Sequence, residues 1–172
     1  ITDALGASTA FTYDRMYNIL SGEDALGSTV AYTYDENYNL TSETNAKGST
    51  TNYTYDSRDR VVKVTDALGQ ETSSGLNAKG QLVILTDRRG NQTITEYDTI
   101  LDVPIAVTDA LGNTTRYRYD RMGYCTGIDY ADGTSVSYTY NAAYQVVSQT
   151  AKNGLVTTME YDGNENIVTI TD

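Results

Sequence analysis

Eight short segments of the chain alternate between two kinds of residue. Three positions in each segment, spaced two apart, mostly carry β-branched or aromatic side chains, and the positions between them are mostly Ala, Thr, Ser, Asn, Arg or Glu. A period of two is typical of a β-strand with two different faces. The triplets are Thr9-Phe11-Tyr13, Val30-Tyr32-Tyr34, Thr51-Tyr53-Tyr55, Thr72-Ser74-Leu76, Thr93-Thr95-Tyr97, Thr115-Tyr117-Tyr119, Val136-Tyr138-Tyr140 and Thr157-Met159-Tyr161.

A second apolar segment follows each triplet about five or six residues later. These segments are rich in residues that favour extended structure, so each predicts a second strand and each unit reads as a β-hairpin. The chain is therefore expected to be all-β, with about sixteen antiparallel strands. The second segments are Ile19-Leu20, Leu40, Val61-Val62, Leu82-Val83, Val103, Cys125, Val146-Val147 and Ile167-Val168.

The hairpins recur with a fixed period. A glycine returns every 21 residues, with one interval of 22, and seven residues after it comes Tyr-Asp in six of eight copies. A fixed period marks a repeat architecture, so we predict a single array over residues 1–172 with no separate catalytic domain. The glycines are Gly6, Gly27, Gly48, Gly69, Gly90, Gly112, Gly133 and Gly154. The second landmarks are Tyr13-Asp14, Tyr34-Asp35, Tyr55-Asp56, Leu76-Asn77, Tyr97-Asp98, Tyr119-Asp120, Tyr140-Asn141 and Tyr161-Asp162.

The turns have their own chemistry. In Asp-Ala-Leu-Gly, which occurs four times, the aspartate can accept hydrogen bonds from a type I turn and the glycine supplies a positive φ. In the opposite turn most copies have a bulky residue where the glycine would stand: Tyr17, Tyr38, Asp59, Tyr144 or Glu165. Because a bulky residue at positive φ costs roughly 1–2 kcal/mol, we expect the left-handed conformation to shift to the following Asn18, Asn39 or Asn166.

Two places depart from the repeat. The fourth unit lacks aromatic residues at its triplet, and a one-residue insertion with the only proline, Pro104, lies between Asp98 and Asp109. Proline removes a ladder donor, so it suits a strand edge or a bulge. If the sheet bends, we expect the bend just before Asp109.

Composition removes several function classes. The net charge is −11, which does not suit a nucleic-acid partner. Histidine is absent, and with it the usual general base and the commonest transition-metal ligand. Cys125 is the single cysteine, and its place in an apolar strand position predicts a buried small hydrophobe. No apolar run of about 18 residues occurs, so no membrane insertion is expected.

The acidic residues predict structure rather than chemistry. Most recur every 21 residues within the turns, as a fold device does. Asp162 to Asn166 is rich in carboxylate and amide oxygens but lacks the spacing and the final glutamate of a calcium loop. We therefore expect no enzyme, no catalytic residue, no cofactor and no metal.

Eight copies of Gly-x-x-x-x-x-x-Tyr-Asp, six of them intact, resemble the YD repeats, also called Rhs repeats. These occur in bacterial polymorphic toxins, wall-associated proteins, the C components of insecticidal toxin complexes, and teneurins. The resemblance covers the whole chain. It implies hairpins joined edge to edge into one long, twisted and curved sheet, a segment of a hollow shell that often encloses a C-terminal toxin domain.

The resemblance therefore implies a structural scaffold of a large secreted or cell-surface bacterial protein. It would enclose or display a C-terminal effector domain, and its partners would be that domain and further repeats. The alternative is an extracellular carbohydrate-binding or adhesion module, because exposed tyrosines beside Asp and Asn also suit glycans. Exposed strand edges further suggest edge-to-edge self-association.

Overall fold

The computed structural model of the chain describes Thr2, Ala4 and residues 8–172. Gly6, the first repeat glycine, lies outside the described residues. The chain forms two compact units, residues 1–92 and 93–172. Within each unit, strands that are neighbours in sequence are also neighbours in the sheet.

The first unit is built from four β-hairpins, and all of its strand pairs are antiparallel. Its strands are β1 (Ala10–Tyr13), β2 (Ile19–Glu23), β3 (Thr29–Tyr34), β4 (Leu40–Thr44), β5 (Thr50–Tyr55), β6 (Val61–Thr65), β7 (Glu71–Leu76) and β8 (Leu82–Thr86).

The second unit repeats the plan, again with antiparallel pairing throughout. Its strands are β9 (Gln92–Tyr97), β10 (Pro104–Thr108), β11 (Thr114–Tyr119), β12 (Cys125–Asp129), β13 (Ser135–Tyr140), β14 (Val146–Thr150), β15 (Val156–Tyr161) and β16 (Ile167–Thr171). The prediction of an all-β array of antiparallel hairpins is confirmed.

Every hairpin contains a β-bulge at the same place. In the second hairpin Tyr34 pairs with Leu40, but Thr33 pairs with Ser42, so Thr41 is the extra residue. A bulge sets two residues of one strand against one of the other. The apolar doublets that begin many of the second strands, such as Val61-Val62, therefore fall at a bulge.

Pro104 lies at the bulge of its own hairpin, in the place of Leu40, and Ile105 is the extra residue. Tyr97 pairs with Pro104 and Glu96 pairs with Ala106, so the expectation of a proline at a bulge is confirmed. The extra residue of the 22-residue interval lies in the turn, where the Asp98 N–H donates to the Val103 carbonyl at 2.9 Å. The insertion is thus absorbed without changing the strand pairing, and a bend before Asp109 stays a prediction.

The fourth hairpin keeps the register without aromatic residues. Leu76 pairs with Leu82 and Ser74 pairs with Leu85, with the usual bulge between. Strand pairing in this repeat is therefore set by the turns and the backbone, and does not require tyrosine.

The two faces of the strands differ in burial. In β3, Val30, Tyr32 and Tyr34 are half-buried, whereas the residues between them are exposed. Among the described residues the only buried hydrophobic side chains are Ala106 and Val136, at 1% and 8% exposure. Each unit is thus held by contacts between neighbouring strands, because it has almost no enclosed core.

The exposed face carries hydroxyl groups that bond across strands. Thr12 lies 2.6 Å from Ser21, and Thr33 lies 2.6 Å from Ser42, measured between side-chain oxygens. Thr108 and Thr114, which are half-buried, make a similar contact at 2.9 Å. One face is therefore rich in tyrosine and aliphatic side chains, and the other in serine and threonine.

The expectation that the left-handed conformation shifts to the asparagine is wrong. Tyr17, Tyr38 and Glu165 themselves have φ of 66°, 64° and 68°. In the second hairpin the N–H of Asn39 and its side-chain amide both donate to the Asp35 carboxylate, at 2.9 and 3.1 Å. The asparagine thus bonds to the aspartate while the residue before it carries the positive φ. The same holds for Asn18 and Asn166. Asp59 and Tyr144, which no asparagine follows, have φ of 59° as well, so the geometry of the turn places the strain there.

Candidate functional site

The tyrosine of Tyr-Asp reaches back to the preceding hairpin. In five repeats its hydroxyl donates to the backbone carbonyl of the residue 15 positions earlier. The donor and acceptor pairs are Tyr34 and Ile19 at 3.1 Å, Tyr55 and Leu40 at 2.8 Å, Tyr119 and Pro104 at 2.9 Å, Tyr140 and Cys125 at 2.6 Å, and Tyr161 and Val146 at 2.8 Å. The acceptor is always the first residue of the preceding second strand.

These bonds lie beyond the end of the backbone ladder between hairpins. The β4–β5 ladder has three residue pairs and ends at Ser42 opposite Asn52, yet β5 continues to Tyr55. The Tyr55 hydroxyl then bonds to Leu40, at the far end of β4. The tyrosine therefore links successive hairpins where the backbone no longer pairs.

Burial suits these tyrosines to the role of neutral donors. Removal from water raises the pKa of Tyr55, Tyr119 and Tyr140 above the ordinary value, because burial disfavours the charged phenolate. Their hydroxyl protons remain in place as hydrogen-bond donors. Tyr53 differs, since its hydroxyl donates to Glu43 at 2.7 Å and this bond is the main cause of its raised pKa.

The aspartate of Tyr-Asp organises the turn that follows it. Its Oδ1 accepts the N–H groups two and four residues later, as in Asp35, which accepts Asn37 and Asn39 at 2.9 Å each. Asn77 and Asn141 accept the equivalent pairs at 2.9 to 3.0 Å. In the lengthened turn Asp98 accepts Ile100 and Leu101 instead. The degenerate fourth repeat thus keeps the turn because asparagine offers the same oxygen.

The Asp-Ala-Leu-Gly turns use the same device. Asp109 Oδ1 accepts the N–H groups of Leu111 and Asn113, both at 2.9 Å, and Gly112 has φ of 84°. The repeat glycines from Gly27 to Gly154 all have positive φ between 76° and 84°. A glycine is needed there because other residues pay a steric penalty at that φ.

Two turns of this kind lack the aspartate at their first position. In each of them a side chain two residues further along the turn accepts a backbone N–H instead. Tyr130 and Ala151 stand where the other turns have Asp or Asn. Asp132 accepts the N–H of Thr134 at 2.9 Å, and Asn153 accepts that of Leu155 at 3.1 Å. The substitution also places the Lys152 ammonium 3.3 Å from the centre of the Tyr130 ring.

Neighbouring turns touch one another in the first unit. Asp59 Oδ1 accepts the side-chain amides of Asn37 at 2.9 Å and Asn39 at 2.7 Å. Arg88 lies 3.5 Å from Asp66. Exposed ion pairs of this kind add little stability, so the tyrosine bonds and backbone ladders remain the main links.

The carboxylates of the turns accept hydrogen bonds from the backbone, for example Asp24 from the N–H groups of Leu26 and Ser28. Hydrogen bonds lower the pKa of Asp24, Asp35, Asp109 and Asp162, because they favour the charged form. Asp56 has its pKa lowered to about 2, chiefly by its hydrogen bond with Arg60. A carboxylate held in this way is a poor general base, which needs a pKa near the working pH.

The remaining candidate chemistry gives no site. Cys125 is half-buried rather than fully buried, and its Sγ lies 3.5 Å from the Gly127 carbonyl. Within the described residues, no group of three or more His, Cys, Asp or Glu side chains is arranged to hold a metal ion. No helix long and apolar enough to cross a membrane occurs in that part of the chain.

Apart from Tyr13, which is 51% exposed, the exposed tyrosines of the described residues lie at the turns. Tyr17 is 85% exposed, and Tyr124 stacks on Tyr144 with ring centres 4.3 Å apart. The linking tyrosines already use their hydroxyls within the chain. Glycan binding through the tyrosine rows therefore stays an untested alternative with no supporting contact.

Sequence reasoning missed the partners of the tyrosine hydroxyls. The acceptors are backbone carbonyls of five different residue types, so no side-chain pattern marks them. The clamping asparagines do have a signal, because Asn18, Asn39 and Asn166 each stand four residues after the aspartate. Asp132 and Asn153 could have been found in the same way, as acids or amides that appear where the turn aspartate is lost.

Comparison with known proteins agrees with this geometry. The sequence model of the RHS Repeat family matches residues 18–50, 39–71, 55–92 and 104–135. The array of tyrosine-linked hairpins is therefore that of an Rhs-repeat protein, and the chain belongs to the RHS Repeat family. No curated protein matches the sequence.

Solved structures share the fold. A chain of the Photorhabdus luminescens Tc holotoxin pore, with a mutant TccC3, has a TM-score of 0.66 at 19% identity over 94% of this chain. A complex of TcdB2-TccC3 with Cdc42 gives 0.67 at 18% identity over 94%, and TcdB2-TccC3 without its hypervariable C-terminal region gives 0.64 at 18% over 94%. This chain spans 11% of the length of each of those chains.

Proposed function

We propose that the chain is a structural segment of the β-shell of a large secreted or cell-surface bacterial protein. Its role is to enclose or display a C-terminal effector domain, and its partners are that domain and further repeats. Membership of the RHS Repeat family and the fold shared with Tc toxin chains support this role. The chain itself performs no catalysis in this proposal.

The repeated tyrosine bond is the observation that carries the proposal. Within the two units, the six junctions between successive hairpins have the same three-pair ladder, and all but the one at Leu76 add the same hydroxyl bond, for example Tyr140 to Cys125 and then Tyr161 to Val146. Such an interface joins any number of hairpins without an enclosed core. A wall that is one sheet thick is what enclosure of another domain requires.

If the sheet encloses another domain, its two faces should differ in their accessibility to large reagents. Val30 and Ala31 are adjacent in β3 and lie on opposite faces. In a Cys125→Ala background, Val30→Cys and Ala31→Cys give one reactive thiol on each face. In the 172-residue chain both thiols should react with a bulky polymer-linked maleimide.

In the full-length protein that contains this segment, only one of the two thiols should react with the bulky reagent. A small maleimide, which enters a shell more readily, serves as the control for local burial. If both thiols react with the bulky reagent at equal rates in the full-length protein, enclosure is contradicted. Protection of the C-terminal domain from added protease, lost when the shell is opened, would be the second measurement.

A further inference from the structure

Glu43 places a carboxylate on the tyrosine-rich face of the sheet. It lies in β4 and pairs with Tyr32 on one side and with Thr51 on the other. Residues that stand directly opposite each other in a sheet project from the same face. The corresponding residues of the other second strands are Gly22, Val64, Leu85, Val107, Ile128, Gln149 and Ile170. None of these is charged, so the fold does not require a carboxylate at this place.

The carboxylate of Glu43 is held in position and keeps one oxygen available. Its Oε1 accepts the hydroxyl of Tyr53 at 2.7 Å. Among the described residues Glu43 has no other hydrogen bond and no ion pair with a lysine or arginine. Glu43 is half-buried, and partial removal from water makes a charge without a counter-ion less favourable than a paired one. Its charge is therefore open to a cation.

A cavity of about 130 Å³ lies beside this carboxylate. Its lining includes the aliphatic Val30, the aromatic Tyr32, and the hydroxyl-bearing Ser49 and Thr51. An aromatic ring attracts a cation over its face, and a hydroxyl oxygen accepts hydrogen bonds from an ammonium group. The volume is several times that needed to hold one water molecule, so an ammonium group with part of its alkyl chain fits.

The geometry favours an ammonium group over a guanidinium group. Arginine pairs best with a carboxylate when both carboxylate oxygens are available for two parallel hydrogen bonds. In Glu43 one oxygen already accepts the Tyr53 hydroxyl. An ammonium group is a compact point charge that needs only one of the two oxygens.

We propose that this cavity binds a primary alkylammonium group, of the kind that a lysine side chain carries. Glu43 supplies the opposite charge, Tyr53 holds the carboxylate in place, and Tyr32 offers its ring to the cation. The alkyl chain lies against Val30. The site does not rest on the shell proposal, because it follows from the side chains of two neighbouring hairpins.

The seventh hairpin offers a matched place without the charge. Gln149 pairs with Tyr138 and Thr157, as Glu43 pairs with its own tyrosine and threonine. Gln149 is also half-buried. The strand therefore accepts glutamine at this position, and Glu43→Gln should leave the fold intact.

The surroundings of the two places differ in the groups that the proposal requires. Met159 stands where the other place has Tyr53, and Leu155 stands where it has Ser49. Neither side chain carries a hydroxyl group. A glutamate introduced at Gln149 would thus have the charge and a neighbouring tyrosine, but not the donor that positions the carboxylate.

Titration of the 172-residue chain with butylammonium, followed by NMR, tests the proposal. The methyl signals of Val30 should shift and saturate. Glu43→Gln should weaken binding about tenfold or more, as expected for one hydrogen bond to a charged group. Tyr32→Leu should weaken it about two- to fivefold, in the range of one exposed contact between a cation and a ring.

Two further probes identify the group that is bound and its source. Nα-acetyl-norleucine methylamide has a similar aliphatic chain without the ammonium group, so it should give no saturable shift. Nα-acetyl-lysine methylamide presents the ammonium group on a peptide backbone. Binding at least as tight as that of butylammonium is expected for a lysine of a polypeptide, and clearly weaker binding indicates a free amine as the ligand.

The double variant Glu43→Gln with Gln149→Glu is the matched control, because it keeps the net charge of −11 and moves one carboxylate. At Val30 it should respond as weakly as Glu43→Gln alone. The proposal is overturned if the wild type shows no saturable shift, if the norleucine probe binds equally, or if either variant binds as tightly as the wild type. Circular dichroism checks folding, and if Glu43→Gln is unfolded, Tyr32→Leu and the norleucine probe decide.

Discussion

The hydroxyl of Tyr55 donates to the carbonyl of Leu40 at 2.8 Å, across the line where two hairpins meet. The two residues are 15 positions apart, and the backbone ladder between their strands has ended before it reaches them. The half-buried tyrosine ring therefore does two things at once: it packs on its face of the sheet and closes the junction between repeats.

Removing this hydroxyl alone should weaken the array. Tyr55→Phe keeps the ring and leaves the Leu40 carbonyl without its donor, so we expect a loss of about 0.5–1.5 kcal/mol in the free energy of unfolding. Urea denaturation followed by circular dichroism, at a concentration where the chain is monomeric, measures it. Tyr13→Phe removes the same group where the described residues hold no acceptor, and should have no effect. An equal loss in both variants would show that the hydroxyl bond is not the cause.

The order of strands and turns was accessible from the sequence because both are local. Alternation over a few residues gives a strand, and an aspartate followed three residues later by glycine gives a turn. The link between hairpins was not accessible, because it joins a side chain to a backbone carbonyl 15 residues away. The acceptors have in common only that each offers its backbone carbonyl and lies at a bulge, and no side-chain type marks them. They are Ile19, Leu40, Pro104, Cys125 and Val146.

The intrinsic preference of residue types for positive φ gave a wrong prediction in the turn that follows Tyr-Asp. Asparagine adopts positive φ more easily than tyrosine, which favoured Asn39 over Tyr38 for the left-handed position. The structure gives Tyr38 a φ of 64°, and Tyr144, which no asparagine follows, a φ of 59°. In both turns the N–H of this residue bonds to the carbonyl of the first turn residue, Asp35 at 3.1 Å and Asn141 at 3.0 Å. The hydrogen bonds of the turn therefore outweigh a steric penalty of roughly 1–2 kcal/mol.

This geometry predicts opposite effects for two adjacent substitutions. Tyr17 is 85% exposed with φ of 66°, so Tyr17→Gly relieves the steric cost and should stabilise the chain by about 0.5–1 kcal/mol after the entropy of glycine is counted. Asn18→Gly should destabilise it, because the side-chain bond to Asp14 at 2.9 Å is lost. Thermal melts of the two variants measure both signs. If Asn18→Gly stabilised the chain instead, Asn18 rather than Tyr17 would be the residue with positive φ.

Asparagine and aspartate should be interchangeable at the start of a turn, and alanine should not. Asn45 Oδ1 accepts the N–H groups of Lys47 and Ser49 at 2.9 and 3.1 Å, as the aspartates do in the related turns. Asn45→Asp should change the free energy of unfolding little, whereas Asn45→Ala should cost about 1 kcal/mol, in the range of a lost capping side chain. Urea denaturation compares them, and equal stability of Asn45→Ala and wild type would contradict the assigned role.

The acid sensitivity of the fold should be traceable to individual turn carboxylates. The pKa of Asp56 falls from 3.8 to about 2, chiefly because of its hydrogen bond with Arg60. A folded pKa below the unfolded value means that the ionised form stabilises the fold above about pH 4. This contribution is lost as the pH falls toward about 2. NMR titration of the Asp56 carboxyl carbon measures the shift directly.

Arg60→Leu is the matched variant for that titration, because it removes the side-chain donor at 2.8 Å and the ion pair at 2.6 Å while the backbone bonds to Asp56 remain. The pKa of Asp56 should then rise toward that of an ordinary aspartate, and the acid unfolding midpoint should move to higher pH. The pKa of Asp109 in a distant turn should not change, since Asn113 supplies its main hydrogen bond. If Asp56 titrates at the same pH with and without Arg60, the arginine is not the source of the lowered pKa.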